Sequence, residues 1–191
     1  MGPGARIRRL SLYWGAQGGL LSEAECDRLY NVFREAHRVL EVGHYYGLST
    51  RVLSDAIDNE LGTLITIDSH EGSPEDNVDA PSFELFHQQT SAGNVIPLVM
   101  RSEALQAPLQ FDAVFYDGDH EEEQARFTRV VHDSPRVKLF VFDDRDFPVP
   151  ESACEALRAA GWTDESPPLY RGQGDKTDPK TMTLGVFRRA R

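Results

Sequence analysis

The sequence predicts a doubly wound α/β fold: a mostly parallel sheet with helices on both faces and a last strand running antiparallel. Three observations predict it. Short apolar runs alternate with stretches of helical periodicity from residue 39 to residue 160, the order that builds a parallel sheet. The runs Ala113-Val114-Phe115-Tyr116 and Leu139-Phe140-Val141-Phe142 are apolar without a break, as strands covered on both sides are. After Gly161 the alternation stops. Two extended stretches follow with only a Gly-rich loop between them, so no crossover helix keeps the last strand parallel.

The elements follow in order. Ser22-x-x-Glu25 is a capping box that opens a helix to about His37, with Leu29, Val32, Phe33 and Ala36 on one face. Val39–Gly43 reads as a short buried strand and Ser49–Asn59 as the helix after it. Gly62–Ile67 is a strand and Ser82–Thr90 a helix. Val95–Met100 is a strand weakened by Pro97, which removes a ladder donor. Phe111–Tyr116, the helix Glu121–His132, Lys138–Phe142 and the helix Glu151–Ala160, closed by Gly161, complete the alternation. Trp162–Tyr170 is extended and broken at Pro167-Pro168, residues 171–180 form a polar loop, and Thr181–Phe187 is the final strand.

Composition narrows the function. Residues 1–21 read as an arm and residues 22–191 as one domain, which suits a chain of 191 residues. A formal charge of -11 repels phosphate backbones and anionic bilayers, so nucleic acid and membrane are disfavoured as partners. Cys26 and Cys154 are too few for a disulfide scaffold and read as buried thiols. No run approaches the ~18 apolar residues of a membrane span, and no signal-peptide core follows Met1, so the expected compartment is the cytoplasm. Three lysines stand against seventeen arginines, a bias of GC-rich bacterial proteins.

In an open parallel sheet, ligands bind beyond the carboxyl ends of the strands. After the first strand comes Glu41-Val42-Gly43-His44-Tyr45-Tyr46-Gly47-Leu48-Ser49-Thr50, where two glycines before a helix allow close approach of a ligand to the backbone. This is not the dinucleotide GxGxxG. The second strand leads into Asp68, placed to accept hydrogen bonds from a pair of ribose hydroxyls. Turn and aspartate together argue for an adenosine-containing cofactor. His44 reads as a local hydrogen-bonder, and His70 lies at the pocket edge. The fourth strand ends in Asp117-Gly118-Asp119-His120 and the fifth in Asp143-Asp144-Arg145-Asp146. Acidic clusters at neighbouring strand ends repel unless a cation lies between them, and oxygen ligands suit Mg²⁺, Mn²⁺ or Ca²⁺.

The pattern Glu41-x-Gly43-x-x-x-Gly47 with Asp68, Asp117-Gly118-Asp119-His120 and Asp143-Asp144 resembles the class I S-adenosylmethionine-dependent methyltransferases. Within them it is most similar to the metal-dependent small-molecule O-methyltransferases, including those acting on sugars of antibiotics. The resemblance covers about residues 35–190 and implies a Rossmann-like sheet of seven strands. It implies that Glu41, Gly43 and Gly47 line the methionine end of the cofactor, and that Asp68 holds the ribose. Ser102 and Glu103 fall where adenine is contacted, and Tyr45, Ser49, Ser69 and Asp117 join the cofactor-binding set. Asp117, Asp143 and Asp144 match the metal carboxylates, and Asp119 and His120 the two positions for a general base, with His120 favoured.

The implied activity is methyl transfer to a hydroxyl of a sugar or natural product, with a small-molecule acceptor as partner and a homodimer left open. Residues 72–81 and 171–180 are the candidate lids. The rival readings are a non-catalytic adenosyl-cofactor-binding protein of the same fold, and a related metal enzyme with other chemistry. A nicotinamide oxidoreductase is disfavoured by the missing GxGxxG.

Overall fold

The computed structural model describes residues 21–57, 62–70, 86, 90, 93–118, 122–170 and 178–190. Within them the strands are β1 (Arg38–Val42), β2 (Thr63–Asp68), β3 (Val95–Val99), β4 (Ala113–Tyr116), β5 (Leu139–Phe142), β6 (Trp162–Asp164) and β7 (Gly185–Arg189). The helices are α1 (Glu23–Phe33), α2 (Leu48–Ala56), α3 (Glu122–His132) and α4 (Pro148–Ala159). All seven strands form one sheet in the order β3-β2-β1-β4-β5-β7-β6. The five strands β1–β5 run parallel, and β7 lies antiparallel to both of its neighbours, β5 and β6. This is the predicted fold.

Alternation along each strand supplies two cores, one on each face of the sheet. Ala113 and Phe115 of β4 join Leu29 and Phe33 of α1 and Val52 and Leu53 of α2 on one face. Val114 and Tyr116 join Phe127 of α3 and Cys154 and Leu157 of α4 on the other. Every residue of β4 and of β5 is buried, which is why both read as unbroken apolar runs. Among the described residues no helix is long and apolar enough to cross a membrane.

Pro97 sits in β3, the outermost strand on its side of the sheet. Met100 donates to the Asp68 carbonyl, so by the two-residue period Pro97 turns its missing donor away from β2. The proline therefore costs the ladder nothing. Several helix bounds differ from the sequence expectation, and the helix expected to reach Asn59 ends at Ala56. The first helix ends at Phe33, capped by Arg34, short of His37. The last one begins at Pro148, ahead of Glu151, because proline is tolerated in the first turn, where no donor is needed. The expected helix over 82–90 and the arm over 1–21 lie almost wholly outside the described residues.

The capping box also fastens the first helix to the last strand. Glu25 N–H donates to Ser22 Oγ at 3.1 Å, and Ser22 N–H to Glu25 Oε2 at 2.9 Å. Ser22 Oγ in turn donates to the Thr181 carbonyl at 2.5 Å, and Thr183 N–H donates to Glu25 Oε1 at 2.8 Å. Glu25 is fully buried, so each lost bond leaves a buried donor open. Glu25→Ala is expected to cost about 2–4 kcal/mol in urea unfolding, combining a lost cap with lost charged hydrogen bonds. A loss no greater than that of a surface substitution would show that the box is local only.

Candidate active site

The turn after β1 is built on left-handed backbone: Gly43 has φ 80°, Tyr45 43° and Gly47 88°. A Cβ on Gly43 would lie 2.0 Å from the Asp117 carbonyl oxygen, and one on Gly47 2.5 Å from Thr90 Cγ2. Both glycines are therefore demanded by close approach as well as by φ. The Gly43 contact lays the β1 turn directly on the β4 turn. Gly47 then caps α2, whose first residues Leu48, Ser49 and Thr50 are buried.

Asp68 ties this turn to the end of β2. Its Oδ2 accepts the N–H groups of His44 and Tyr45, each at 3.0 Å, and its Oδ1 accepts that of His70 at 2.8 Å. Burial raises its pKa, but the His70 amide, the His44 side chain and the Tyr45 and His44 amides outweigh it, so the carboxyl lies below the usual range. A carboxylate has about four acceptor positions. Three are taken by backbone N–H groups of the described residues.

Glu41, the fourth residue of β1, is fully buried beneath the same turn. Thr50 Oγ1 donates to its Oε2 at 2.6 Å, while Oε1 has no hydrogen-bond partner among the described residues. Burial pushes its pKa up to about 7, against the hydroxyls of Ser49, Thr50 and Thr66, and Asp68 adds to the rise. A buried acceptor left open at the ligand-binding edge fits a cationic donor such as an ammonium group.

His44 and His70 were singled out only weakly by the sequence. His44 is buried, with its ring stacked on Phe86 at 3.8 Å between centroids. Its Nδ1 lies 2.8 Å from Thr66 Oγ1 and its Nε2 2.9 Å from His70 Nε2. Burial lowers the His44 pKa to about 4, so the ring is neutral at pH 7. The only sequence signal for this pairing was that both histidines follow strands whose ends meet.

The other expected site residues are placed unevenly. Tyr45 and Ser69 are partly exposed beside Asp68, and Ser49 is buried near Glu41. Ser102 donates its hydroxyl to Glu123 Oε1 of α3 at 2.5 Å, and Glu103 is exposed next to Arg101. Asp117 lies at the β4 turn, its N–H bonded to the Val42 carbonyl at 2.8 Å. Asp119 and His120 lie outside the described residues, as do the segments 71–85 and 171–177 that hold most of the two candidate lids.

Asp117, Asp143 and Asp144 are the residues expected to hold a metal. Among the described residues no three His, Cys, Asp or Glu side chains converge as an ion would need. Asp143 is buried, and its Oδ1 accepts the Asp144 N–H at 2.8 Å. Thr183 Oγ1 lies 2.8 Å from that oxygen and 2.7 Å from Glu25 Oε1. Asp143 is thus turned toward the β7 side and the capping box. These contacts account for one oxygen of Asp143.

These features sit inside a recognisable domain. The family described as "Methyltransferase domain" matches residues 40–137, just over half of the chain, and the chain belongs to it. The fold is shared with solved methyltransferases at low identity. The O-methyltransferase TomG from Streptomyces achromogenes, involved in tomaymycin synthesis and solved with SAM, is 19% identical at a TM-score of 0.63, covering 98% of this chain and 89% of that one. The O-methyltransferase from Bacillus cereus, solved with SAH, is 16% identical at a TM-score of 0.58, with 98% and 90% covered. The O-methyltransferase NovP is 16% identical at a TM-score of 0.65, with 88% and 81% covered. No curated protein matches the chain.

The Glu41 pKa carries a stability signature. A carboxyl raised from 4.5 to about 7 binds its proton more tightly in the folded state. Its contribution is therefore most favourable below 4.5 and is lost as pH rises through 7. Glu41→Gln is expected to stabilise the protein by about 2–3 kcal/mol at pH 8, with the gain vanishing toward pH 4.5. Chemical denaturation of both proteins across that range measures it, and a gain independent of pH would contradict it.

Proposed function

We propose that this protein is an S-adenosylmethionine-dependent methyltransferase that methylates a hydroxyl of a small molecule, such as a sugar or natural product. The observation that carries the reading is Glu41, a buried carboxylate with an open Oε1 beneath the Gly43–Gly47 turn, within the methyltransferase-domain match. The solved O-methyltransferases of the same fold support the choice of acceptor oxygen.

When bound, the cofactor supplies an electrophilic sulfonium methyl. Glu41 would hold its ammonium, and Gly43 and Gly47 would let its body approach the backbone. Asp68 would accept one ribose hydroxyl with its remaining position. The work left to the protein is alignment of acceptor oxygen with the methyl, and removal of the acceptor proton. His120 is the proposed base, with Asp119 as the neighbour that could replace it. No step is assigned to a divalent ion, since no three His, Cys, Asp or Glu side chains converge among the described residues.

Titration calorimetry tests the cofactor. S-adenosylmethionine and S-adenosylhomocysteine should bind and NAD should not, and Asp68→Ala should weaken binding by about 1–3 kcal/mol. Unchanged affinity in Asp68→Ala would remove that residue from the site.

The base is tested by pairing His120→Ala with Asp119→Asn, both checked for retained cofactor affinity. His120→Ala should lower turnover about a hundredfold or more on an accepted substrate. If only Asp119→Asn does so, the base is Asp119.

A further inference from the structure

The edge of the sheet opposite the glycine turn carries a cavity of about 750 Å³. It lies between the end of α1 and the amino ends of β1, β4 and β5. Strand register builds it. Val39, Ala113, Leu139 and Arg188 are successive partners across β1, β4, β5 and β7, so their side chains share a face. One residue earlier, Asp112 N–H donates to the Arg38 carbonyl and Lys138 N–H to the Asp112 carbonyl, each at 2.8 Å. Arg38, Asp112 and Lys138 therefore stand in a row across the amino edge.

The floor is aliphatic. Val32 of α1 and Ala36 just after it meet Ala113 and Leu139 there, and all four are buried. The described residues that line the cavity include no Phe, Tyr or Trp.

Charge at the rim departs from that of the chain, which totals -11. Arg38, Arg136, Lys138 and Arg188 face Glu35 and Asp112. Arg188 Nε donates to Glu165 Oε2 at 2.8 Å, so its charge is matched from outside the cavity and one net positive charge remains. Asp112 holds Arg136, whose Nε–H it accepts on Oδ1 at 3.1 Å, while its Oδ2 accepts the Arg38 N–H at 3.0 Å. Lys138 Nζ gives one of its three donors to the Pro135 carbonyl, at 2.7 Å. Arg38 is exposed, and its guanidinium has no ion-pair partner among the described residues.

We propose that this cavity binds a small aliphatic carboxylate, its chain on the apolar floor and its head group held by Arg38 and Lys138. Sites for small molecules are mostly apolar hollows of about 300–1,000 Å³ with a few placed polar groups. Guanidinium and ammonium groups hold carboxylates through charge-assisted hydrogen bonds. One net charge matches a monoanion better than a phosphate ester, which carries about -1.5 to -2 at pH 7. The floor packs against a hydrocarbon chain and offers no aromatic face on which a ring would stack. Strands about 15 Å long separate the cavity from the turns at Gly43 and Asp117, so its ligand leaves that edge free.

Octanoate is the probe. Calorimetry should show one octanoate per chain, with the same affinity in the presence and absence of saturating S-adenosylhomocysteine. Acetate, octan-1-ol and octylammonium should bind about tenfold more weakly or not at all. Arg38→Ala and Lys138→Ala should each weaken octanoate about tenfold without lowering the melting temperature. Arg34→Ala, which removes an exposed arginine outside the lining, should not weaken it. In amide NMR, octanoate should shift the signals of Arg38, Asp112 and Lys138. Absence of octanoate binding overturns the site, as does its one-for-one displacement by S-adenosylhomocysteine. Wild-type affinity in the variant carrying both Arg38→Ala and Lys138→Ala also overturns it. Tighter binding of octyl phosphate than of octanoate overturns the choice of a carboxylate.

Discussion

One carboxylate, Asp68, holds the ligand edge in shape. Three backbone N–H groups from two separate turns converge on it. Two residues of those turns, Tyr45 and His70, are non-glycine residues in left-handed conformation. Such residues cost on the order of 1–3 kcal/mol each. Hydrogen bonds to a charged acceptor contribute about 1.5–3 kcal/mol apiece, so three of them offset the strain. The balance holds only while Asp68 is ionised, and its lowered pKa keeps it so at neutral pH. The glycine turn alone would not define the pocket, because its geometry is fixed from the neighbouring strand.

Glu41 and Asp68 have the same chemistry and opposite environments. Asp68 is solvated by amide N–H groups, which favour the charged form. Glu41 meets mainly hydroxyls and a second carboxylate in a site without water access, and its pKa rises to about 7. Two carboxylates set apart in this way differ near neutral pH: one stays charged and structural, while burial makes the other hold its proton more tightly. His44 is the third member, held neutral by the burial that raises Glu41.

Much of the fold was legible because it rests on period and punctuation. The buried runs of β4 and β5, the Ser22–Glu25 box and the glycines at 43, 47 and 161 act locally, and each has its structural counterpart. Helix ends were less legible: Pro148 opens α4 ahead of the residues that show helical periodicity. The site was half legible. Glu41 and Asp68 lie near the ends of β1 and β2 and Gly43 and Gly47 just after β1, in a spacing that reports their neighbourhood. The acidic clusters were less legible, because what Asp143 meets depends on tertiary donors. Thr183 and Glu25 stand 40 and 158 residues from the groups they meet there, Asp143 and Thr183, and no local pattern announces such contacts. The His44–His70 bond was hidden for the same reason, as it spans two strand ends.

The order of the sheet gives these contacts their direction. β1 lies between β2 and β4, and the chain winds one way toward β3 and the other toward β5. This reversal is where open α/β sheets hold ligands. Gly43 and the Asp117 carbonyl touch across it, so the β1 and β4 turns share one floor with no room for a side chain. Glu41, Thr66, His44 and His70 are gathered toward β2, while Asp117 stands on the β4 side. A ligand lying across this floor meets the buried Glu41 side at one end and the turn leading to Asp119 and His120 at the other. In the proposed function, charge compensation for the cofactor and deprotonation of the acceptor fall to different strands. A single bare glycine contact keeps the two within reach of one bound molecule.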